Sequence, residues 1–341
     1  MSNVDSTFPV NPLKRRRTEH DSSSNASTPE ISKNTRFWFE DGNIALQAED
    51  TQFRVHRGVM ARHSVVFRDM LLIAHPETGS VDGCPVVSLA DDAAHDWIHV
   101  LGIIYDNEIF YQTSEILSIP LIGAMLRLGR KYQFDTLYTS ALARLKKDIP
   151  TTLEGWDASM GDTWREEYTE DFDLLNLLED FRIQTLLPTV YYYCAIEYNL
   201  DEIMDGIQRN DGTTARLSHA SAKQILKGKM KMANAVERYM INAFRALPLQ
   251  NVCASCIDLQ ARLFLRHSRN NLISIFLPRP SDLFLKRSEI TAALCVPCKD
   301  RMCSLLESKR RLFWDSLPEL FGLPSWTELS DTPCHTSNQP S

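Results

Sequence analysis

The chain has 341 residues, of which 43% are hydrophobic and 24% are charged, and its formal net charge at pH 7 is −7. This composition is typical of soluble globular proteins and excludes a collagen, a coiled coil and a wholly disordered chain. The length predicts about two domains. No apolar run reaches the roughly 18 to 20 residues of a membrane span, and the N-terminus lacks the apolar core of a secretion signal. We therefore expect an intracellular protein, nuclear or cytoplasmic, whose eight cysteines are thiols or metal ligands.

Both ends of the chain are predicted to be disordered tails. Residues 1–35 are rich in small polar side chains and bury too little apolar area to offset the entropy of ordering. Residues 330–341 are assigned to a second tail. The first tail contains a run of four basic residues at 14–17. Such a run is either a nuclear-import signal or a solubilising segment with incidental charge.

Residues 36–148 alternate between strand and helix patterns. Two apolar–polar alternations, at 43–48 and 51–56, predict a β-hairpin with one buried face. Apolar side chains over 57–72 recur every three or four residues, which predicts two short helices separated by a cap at Ser64. The pattern then predicts a short strand and three amphipathic helices, at 86–89, 97–104, 119–129 and 137–145.

This order of elements resembles the BTB/POZ domain. The resemblance rests on residues 53–71, where a predicted strand ends at His56, a short helix follows, and Ser64 precedes Phe67. Residues 86–105 are similar to the third strand and third helix of the family. The resemblance implies an α+β fold, a small sheet with helical hairpins, over residues 36–148.

The resemblance also implies a function in protein association. Members of the family pair through the first strand and first helix, so we expect a homodimer or a pair with another BTB protein. The apolar side chains of Phe37, Trp38 and Phe39 are expected to be exposed for this purpose. Many members dock a cullin scaffold through an apolar residue two positions before a Glu. Residues 89–91 depart from that pattern because Asp91 stands in the place of the Glu.

His56 has two interpretations. Histidine titrates near neutral pH and can act as a catalytic base. In a domain of this kind we interpret it instead as a partly buried structural residue that is held by hydrogen bonds, with Asp41 as a candidate acceptor.

Beyond residue 148 the pattern turns helical and predicts an all-α region over 149–329. The aromatic run at 191–193 is assigned to its core. The apolar segment 310–326 is interpreted as packing back on this region, with a partner-binding peptide as the alternative. Its residues 314–323 also resemble uncharacterised BTB proteins that are expanded in mushroom-forming fungi.

The helical region contains two CxxC pairs, Cys253-Ala-Ser-Cys256 and Cys295-Val-Pro-Cys298. A two-residue gap lets both sulfurs of a pair point at one centre, so the two pairs predict a four-cysteine structural zinc site. The 38 residues between the pairs exceed the roughly 15 to 20 of a compact zinc ribbon. An insertion must therefore bring the pairs together, and Cys303 and His267 are substitute ligands.

Two alternatives to zinc stay open at this stage. The cysteines are either buried free thiols or disulfides. Redox chemistry is disfavoured because no βαβ unit surrounds either pair. Zinc would act as a staple, since no open coordination position for catalysis is indicated.

Motifs of common enzyme classes are absent from the sequence: it has no Gly-rich phosphate loop, no Gly-x-Ser-x-Gly and no His-Glu-x-x-His. Asp171 and Asp173 are assigned to a solvated charge run and not to an apolar setting that would shift a pKa. We predict an interaction protein, not an enzyme. It would dimerise through its BTB-like domain and serve as a candidate substrate adaptor of a cullin ubiquitin ligase.

The alternative function is that of a nuclear transcription-associated factor that uses the same dimer. A basic face on the helical region would favour it. The net negative charge argues against broad nucleic-acid binding, and a solvated helix face is the other interpretation of the candidate stripe. That stripe consists of Lys223, Lys227, Lys229 and Lys231.

Overall fold

The computed structural model describes residues 31–72, 79–106, 117–159, 170–209, 211–246, 253, 256 and 295–331. The basic run at 14–17, the substitute ligand His267 and most of the two predicted tails lie outside these residues. The described residues form an N-terminal domain, up to residue 150, and a helical region after it.

The N-terminal domain is built around a five-stranded mixed sheet. Its strands are β1 (Ser32–Trp38), β2 (Ile44–Ala48), β3 (Thr51–Val55), β4 (Ser80–Val81) and β5 (Cys84–Ser88). The order across the sheet is β1-β3-β2-β5-β4. β2 and β3 form the predicted antiparallel hairpin, and β1 and β5 join it in parallel.

β1 begins at Ser32, inside the segment that the sequence assigns to the tail. Its pairing with β3 is interrupted between Lys33 and Trp38. Such an irregularity breaks the period of two by which a strand is recognised in a sequence. Phe37 is fully buried, contrary to the expectation that it is exposed, because it packs into the core under the sheet.

Five helices complete the domain: α1 (Arg57–His63), α2 (Val65–Met70), α3 (Ala94–Asp106), α4 (Ile119–Tyr132) and α5 (Asp135–Asp148). Ser64 separates α1 from α2 as predicted, because its side chain accepts a hydrogen bond from Phe67 N at 3.0 Å and so caps α2. Phe67 lies in an aromatic cluster with Trp97 and Tyr132, at ring-centroid distances of 5.7 and 5.0 Å. The helices and the sheet therefore share one hydrophobic core.

Asp92 is the polar centre of this core and is only 6% exposed. Its carboxylate accepts hydrogen bonds from Trp97 Nε1 at 2.9 Å, from Tyr132 Oη at 2.6 Å and from Lys131 Nζ at 2.6 Å. Burial and the Asp92 carboxylate together raise the pKa of Tyr132, so that its hydroxyl remains a donor. Asp92 thereby ties α4 to the start of α3.

The helical region contains seven helices among its described residues, together with a short hairpin. The helices are α6 (Leu153–Ser159), α7 (Asp171–Asp180), α8 (Leu187–Glu197), α9 (Leu200–Asp205), α10 (His219–Ala246), α11 (Val296–Asp315) and α12 (Leu317–Leu320). The hairpin, β6 (Ile207–Gln208) with β7 (Thr214–Ala215), is too short to show an alternating pattern. The predicted helical character of the region is confirmed, and α8 is its buried centre.

Two acidic residues on α7 differ in their surroundings. Asp171 is 4% exposed and accepts a hydrogen bond from Tyr198 Oη at 2.7 Å, so its assignment to a solvated charge run was wrong. Its neighbour Asp173 is more accessible and forms a two-point ion pair with Arg209. The sequence does not distinguish them because the partner of each is distant along the chain.

The helical region packs directly against the N-terminal domain. Thr189 Oγ1 donates to the carbonyl of Pro150 at 2.6 Å. The Arg130 guanidinium lies over the Phe181 ring, 4.4 Å from its centroid. Asp331 forms an ion pair with Lys146 at 2.7 Å, so the chain is engaged one residue beyond the predicted start of the second tail.

The C-terminal apolar segment packs back on the helical region, as predicted. Phe313, Trp314 and Leu317 are buried, and Trp326 stacks on Trp314 with an interplanar angle of 8°. Phe321 lies between α8 and α10, where its ring stacks on Tyr191 at 5.3 Å. The alternative of an exposed partner-binding peptide is therefore excluded for these side chains.

Gly228 on α10 leaves the space that the Phe321 ring occupies. A Cβ atom at this position would lie 2.2 Å from Phe321 Cδ1 and Cε1. We expect Gly228→Ala to lower the free energy of unfolding by about 1–3 kcal/mol, because the ring must leave its site. Gly79→Ala is the control, since a Cβ atom there meets nothing within 4 Å. Chemical denaturation of both variants checks this, and an equal effect at the two glycines would contradict the packing described here.

Candidate functional site

The four cysteines of the two CxxC pairs lie together in the structure. The Sγ atoms of Cys253, Cys256, Cys295 and Cys298 are all within 4.8 Å of one another. A tetrahedral zinc ion with Zn–S bonds of about 2.3 Å holds its sulfurs about 3.8 Å apart, and Cys253 Sγ lies 3.7 Å from Cys295 Sγ. A disulfide bond would need about 2.05 Å. The group has the donor atoms and the size of a tetrahedral metal site.

Local structure places the second pair at the start of a helix. Cys295 is the N-cap of α11 and Cys298 lies in its first turn, where the helix dipole favours negative charge. Hydrogen bonds from the backbone and side chain of Cys298 lower the pKa of Cys295 to about 7. The Cys295 sulfur is thus held where a thiolate, the form that binds metal, is stabilised.

The first pair forms a tight turn opposite this helix. Cys256 N donates to Cys253 O at 2.8 Å, and Cys295 N donates to Cys256 Sγ at 3.4 Å. A backbone amide that points at sulfur is a common support for bound thiolate. The turn and the helix start therefore bring their sulfurs to one point across the 38 intervening residues.

The remaining cysteines are not part of this group. Every cysteine among the described residues is free, so no disulfide is found there. Cys303 is half-buried on α11 and is not among the four clustered sulfurs. Cys84 is buried in the N-terminal domain and Cys194 in the helical region, and burial raises the pKa of the Cys194 thiol well above its usual value. Cys334 lies outside the described residues.

His56 is held as a structural residue at the end of β3. Its Nε2 lies 3.1 Å from Asp41 Oδ1, which confirms the predicted partner. Its backbone N–H donates to Tyr105 Oη at 3.0 Å, and its ring packs on Phe39 at 5.3 Å. These contacts join β3 to α3 and are typical of a structural histidine.

The N-terminal domain exposes apolar side chains around α2. Val65 begins α2 and is 37% exposed, and Leu72 just beyond it is 80% exposed. Gly58 on the preceding helix faces open space. β1, an edge strand, is fixed to its own domain by the ion pairs of Lys33 with Asp82 and of Arg36 with Asp106. A surface for self-association on this domain therefore does not require β1 to detach from its own sheet.

The fold and its capping residues permit a comparison with known families. The β2–β3 hairpin, the α1–α2 hairpin capped at Ser64 and the α4–α5 hairpin follow the order expected from the sequence. The family model for the BTB/POZ domain matches residues 39–149. These residues are a BTB/POZ domain. A search of curated proteins and a search of solved structures both find no match to the chain.

The BTB/POZ domain is a module for binding other proteins, and it covers about a third of the chain. Its predicted cullin-docking position is not on the surface, because Leu89 is 4% exposed. Asp91 follows on the surface with a φ of 62°. The cysteine group and α10 lie outside the matched residues. Among the described residues, no helix has the length and apolar character needed to cross a membrane.

Three of the four lysines in the predicted stripe on α10 are exposed together, and the fourth points elsewhere. Lys223, Lys227 and Lys231 are exposed, whereas Lys229 turns toward α9 and donates to the carbonyl of Tyr198 at 2.8 Å. Burial lowers the pKa of Lys229. Arg238, which the sequence analysis passed over, joins the exposed lysines because it follows them by whole helical turns.

Proposed function

We propose that the chain is a self-associating interaction protein. Its BTB/POZ domain pairs with a second copy, and its four cysteines hold a structural zinc ion. The observation that carries the first part is the BTB/POZ domain itself, with exposed apolar side chains on the surface around α2. The expectation that the chain is not an enzyme stays a prediction.

The surface around α2 suits a second copy for two reasons. Val65 and Leu72 leave apolar area in water that a partner would cover, which is favourable by about 25 cal/mol per Å². The glycine at position 58 leaves room for a close approach between helices. A symmetric pair places the same patch on both copies, so a single apolar surface is sufficient.

Val65→Glu is expected to weaken self-association by tenfold or more, about 1.4 kcal/mol, because two like charges would meet across a symmetric interface. Val65 is the first residue of α2, where a Glu favours the helix dipole and folding is retained. Leu200→Glu is a close match, since Leu200 is the first residue of α9 and is 59% exposed. Light scattering across a concentration series measures both variants. Equal weakening by the two, or none by Val65→Glu, would contradict the assigned surface.

The zinc site serves as a staple in this proposal. Four thiolates saturate a tetrahedral ion and leave no open position for a substrate. Elemental analysis of the purified full chain is expected to find about one zinc per chain. Well under one zinc per chain, after purification without chelators, would remove the staple.

A role as a cullin adaptor is the finer part of the proposal, and it rests on the resemblance alone. Leu89 is buried and Asp91 stands in the place of the expected Glu, so residues 89–91 do not present the expected cullin-docking motif on the surface. A pull-down of the full chain on a purified cullin scaffold decides the question. Retention of the chain supports the adaptor role, and a chain that passes through unbound removes it.

A further inference from the structure

α10 carries an exposed basic face whose cations form no ion pair with a carboxylate in the described part of the chain. Among the charged residues of α10 whose side chains are described, five are basic and only Glu237 is acidic. Four of the basic residues are exposed: Lys223, Lys227, Lys231 and Arg238.

Helix geometry places these four cations in one row. At about 100° per residue they fall within an arc of roughly 80°. Asn234 and the 71%-exposed Met230 lie on the same face. The row is about 22 Å long at 1.5 Å per residue. Glu237 stands at its margin.

The row differs from several other cations of the structure, which form ion pairs with carboxylates. Lys33, Lys131 and Arg209, for example, each pair with an aspartate at 2.6–2.8 Å. No such ion pair with a described carboxylate is formed by Lys223, Lys227, Lys231 or Arg238. Lys231 Nζ contacts only a carbonyl, that of Glu319 at 3.5 Å, and Arg238 lies over the ring of Tyr239.

α10, which carries the row, is held in place by buried side chains and hydrogen bonds away from the row. Ile225, Met232 and Val236 are buried on its opposite face. Gln224 Nε2 donates to the carbonyl of Phe321 at 2.8 Å, and Lys229 is fixed to Tyr198. The four cations are thus preorganised on one side of a fixed helix, which lowers the entropy cost of binding.

We propose that this face of α10 binds the phosphate backbone of nucleic acid without regard to sequence. A duplex presents one phosphate per roughly 1.7 Å of its axis, so a straight row of cations meets phosphates in any register. An acidic protein would need a matching pattern of carboxylates. The proposal depends neither on the zinc site nor on self-association.

The net charge of −7 gives no sign of this basic face, because it sums over the whole chain. The excess of acid lies elsewhere in the chain, and it repels nucleic acid from the other faces. Binding is therefore expected to be local and sensitive to salt, with log K falling by about 0.9 for each unit of log salt concentration per phosphate contact. Four contacts give a slope of about −3 to −4.

Fluorescence anisotropy of a labelled mixed-sequence 20-base-pair duplex with the full chain tests the proposal. The double variant Lys223→Ala/Lys227→Ala is expected to reduce the salt slope by about 2 and to weaken binding uniformly across sequences. Alanine preserves the helix. Arg62→Ala/Lys147→Ala removes two exposed cations from the BTB/POZ domain and should leave the slope unchanged. The basic run at 14–17 is present in every protein, so its contribution cancels.

Three results would overturn the proposal. The first is an unchanged salt slope in Lys223→Ala/Lys227→Ala. The second is a wild-type chain that leaves the duplex unbound at about 50 mM salt, where phosphate contacts are strong. The third is competition by polyglutamate that equals competition by unlabelled duplex, which would assign the face to an acidic protein segment instead.

Discussion

Replacing Cys298 by serine is expected to abolish stoichiometric zinc binding and to release the start of α11. Cys298 is 4% exposed and supplies one of four sulfurs that lie within 4.8 Å of one another. Structural zinc contributes apparent binding free energies of about 10–16 kcal/mol in small zinc-finger peptides. Loss of one ligand should therefore lower the zinc content from about one to a small fraction of one per chain. Elemental analysis measures the metal, and limited proteolysis measures the release of residues 295–300.

Cys303→Ser is the control for this change. Cys303 lies on the same helix and is half-buried but is not in the group of four, so its loss should leave both zinc content and proteolysis unchanged. The same zinc content in wild type and Cys298→Ser would show that these sulfurs do not bind the metal. Loss of zinc in both variants would point to a general unfolding of α11.

The second large effect is expected at Asp92. Asp92→Ala removes the acceptor of Trp97 Nε1 and Tyr132 Oη in the core and of Lys131 at its edge. Each buried donor left without a partner costs about 1–3 kcal/mol, so we expect the free energy of unfolding to fall by about 3–5 kcal/mol. Denaturation followed by tryptophan fluorescence measures the loss.

An exposed aspartate supplies the comparison for Asp92. Asp69 is 66% exposed and pairs with Arg68 on the surface, where an ion pair contributes about 0–1 kcal/mol. Asp69→Ala should therefore change stability by less than 1 kcal/mol. A loss of that small size at Asp92 would mean that the hydrogen bonds described above do not hold α4 to α3.

Local chemistry made much of the BTB/POZ domain predictable. The β2–β3 hairpin follows from alternating side chains, and the break between α1 and α2 follows from the capping residue Ser64. The CxxC spacing also identified the four clustered cysteines, because two sulfurs that are two residues apart already share a direction. In each case the residues that form the sequence pattern lie within a few positions of the residues whose structure the pattern predicts.

What the sequence did not show depends on contacts between distant residues. β1 was missed because its regular pairing is interrupted, and Asp171 was misplaced because its partner is Tyr198 on another element. Gly228 has no local signal, since only the approach of Phe321 requires it. Arg238 could have been found by projecting α10 on a helical wheel, whereas the inward turn of Lys229 depends on Tyr198.

Self-association through the BTB/POZ domain is the central claim, and the mass of the native full chain tests it most directly. Multi-angle light scattering of the zinc-loaded protein at roughly tens of micromolar, with the apolar surface around α2 intact, is the measurement. We predict twice the chain mass of 39.0 kDa. A mass of 39.0 kDa at every concentration would contradict the account.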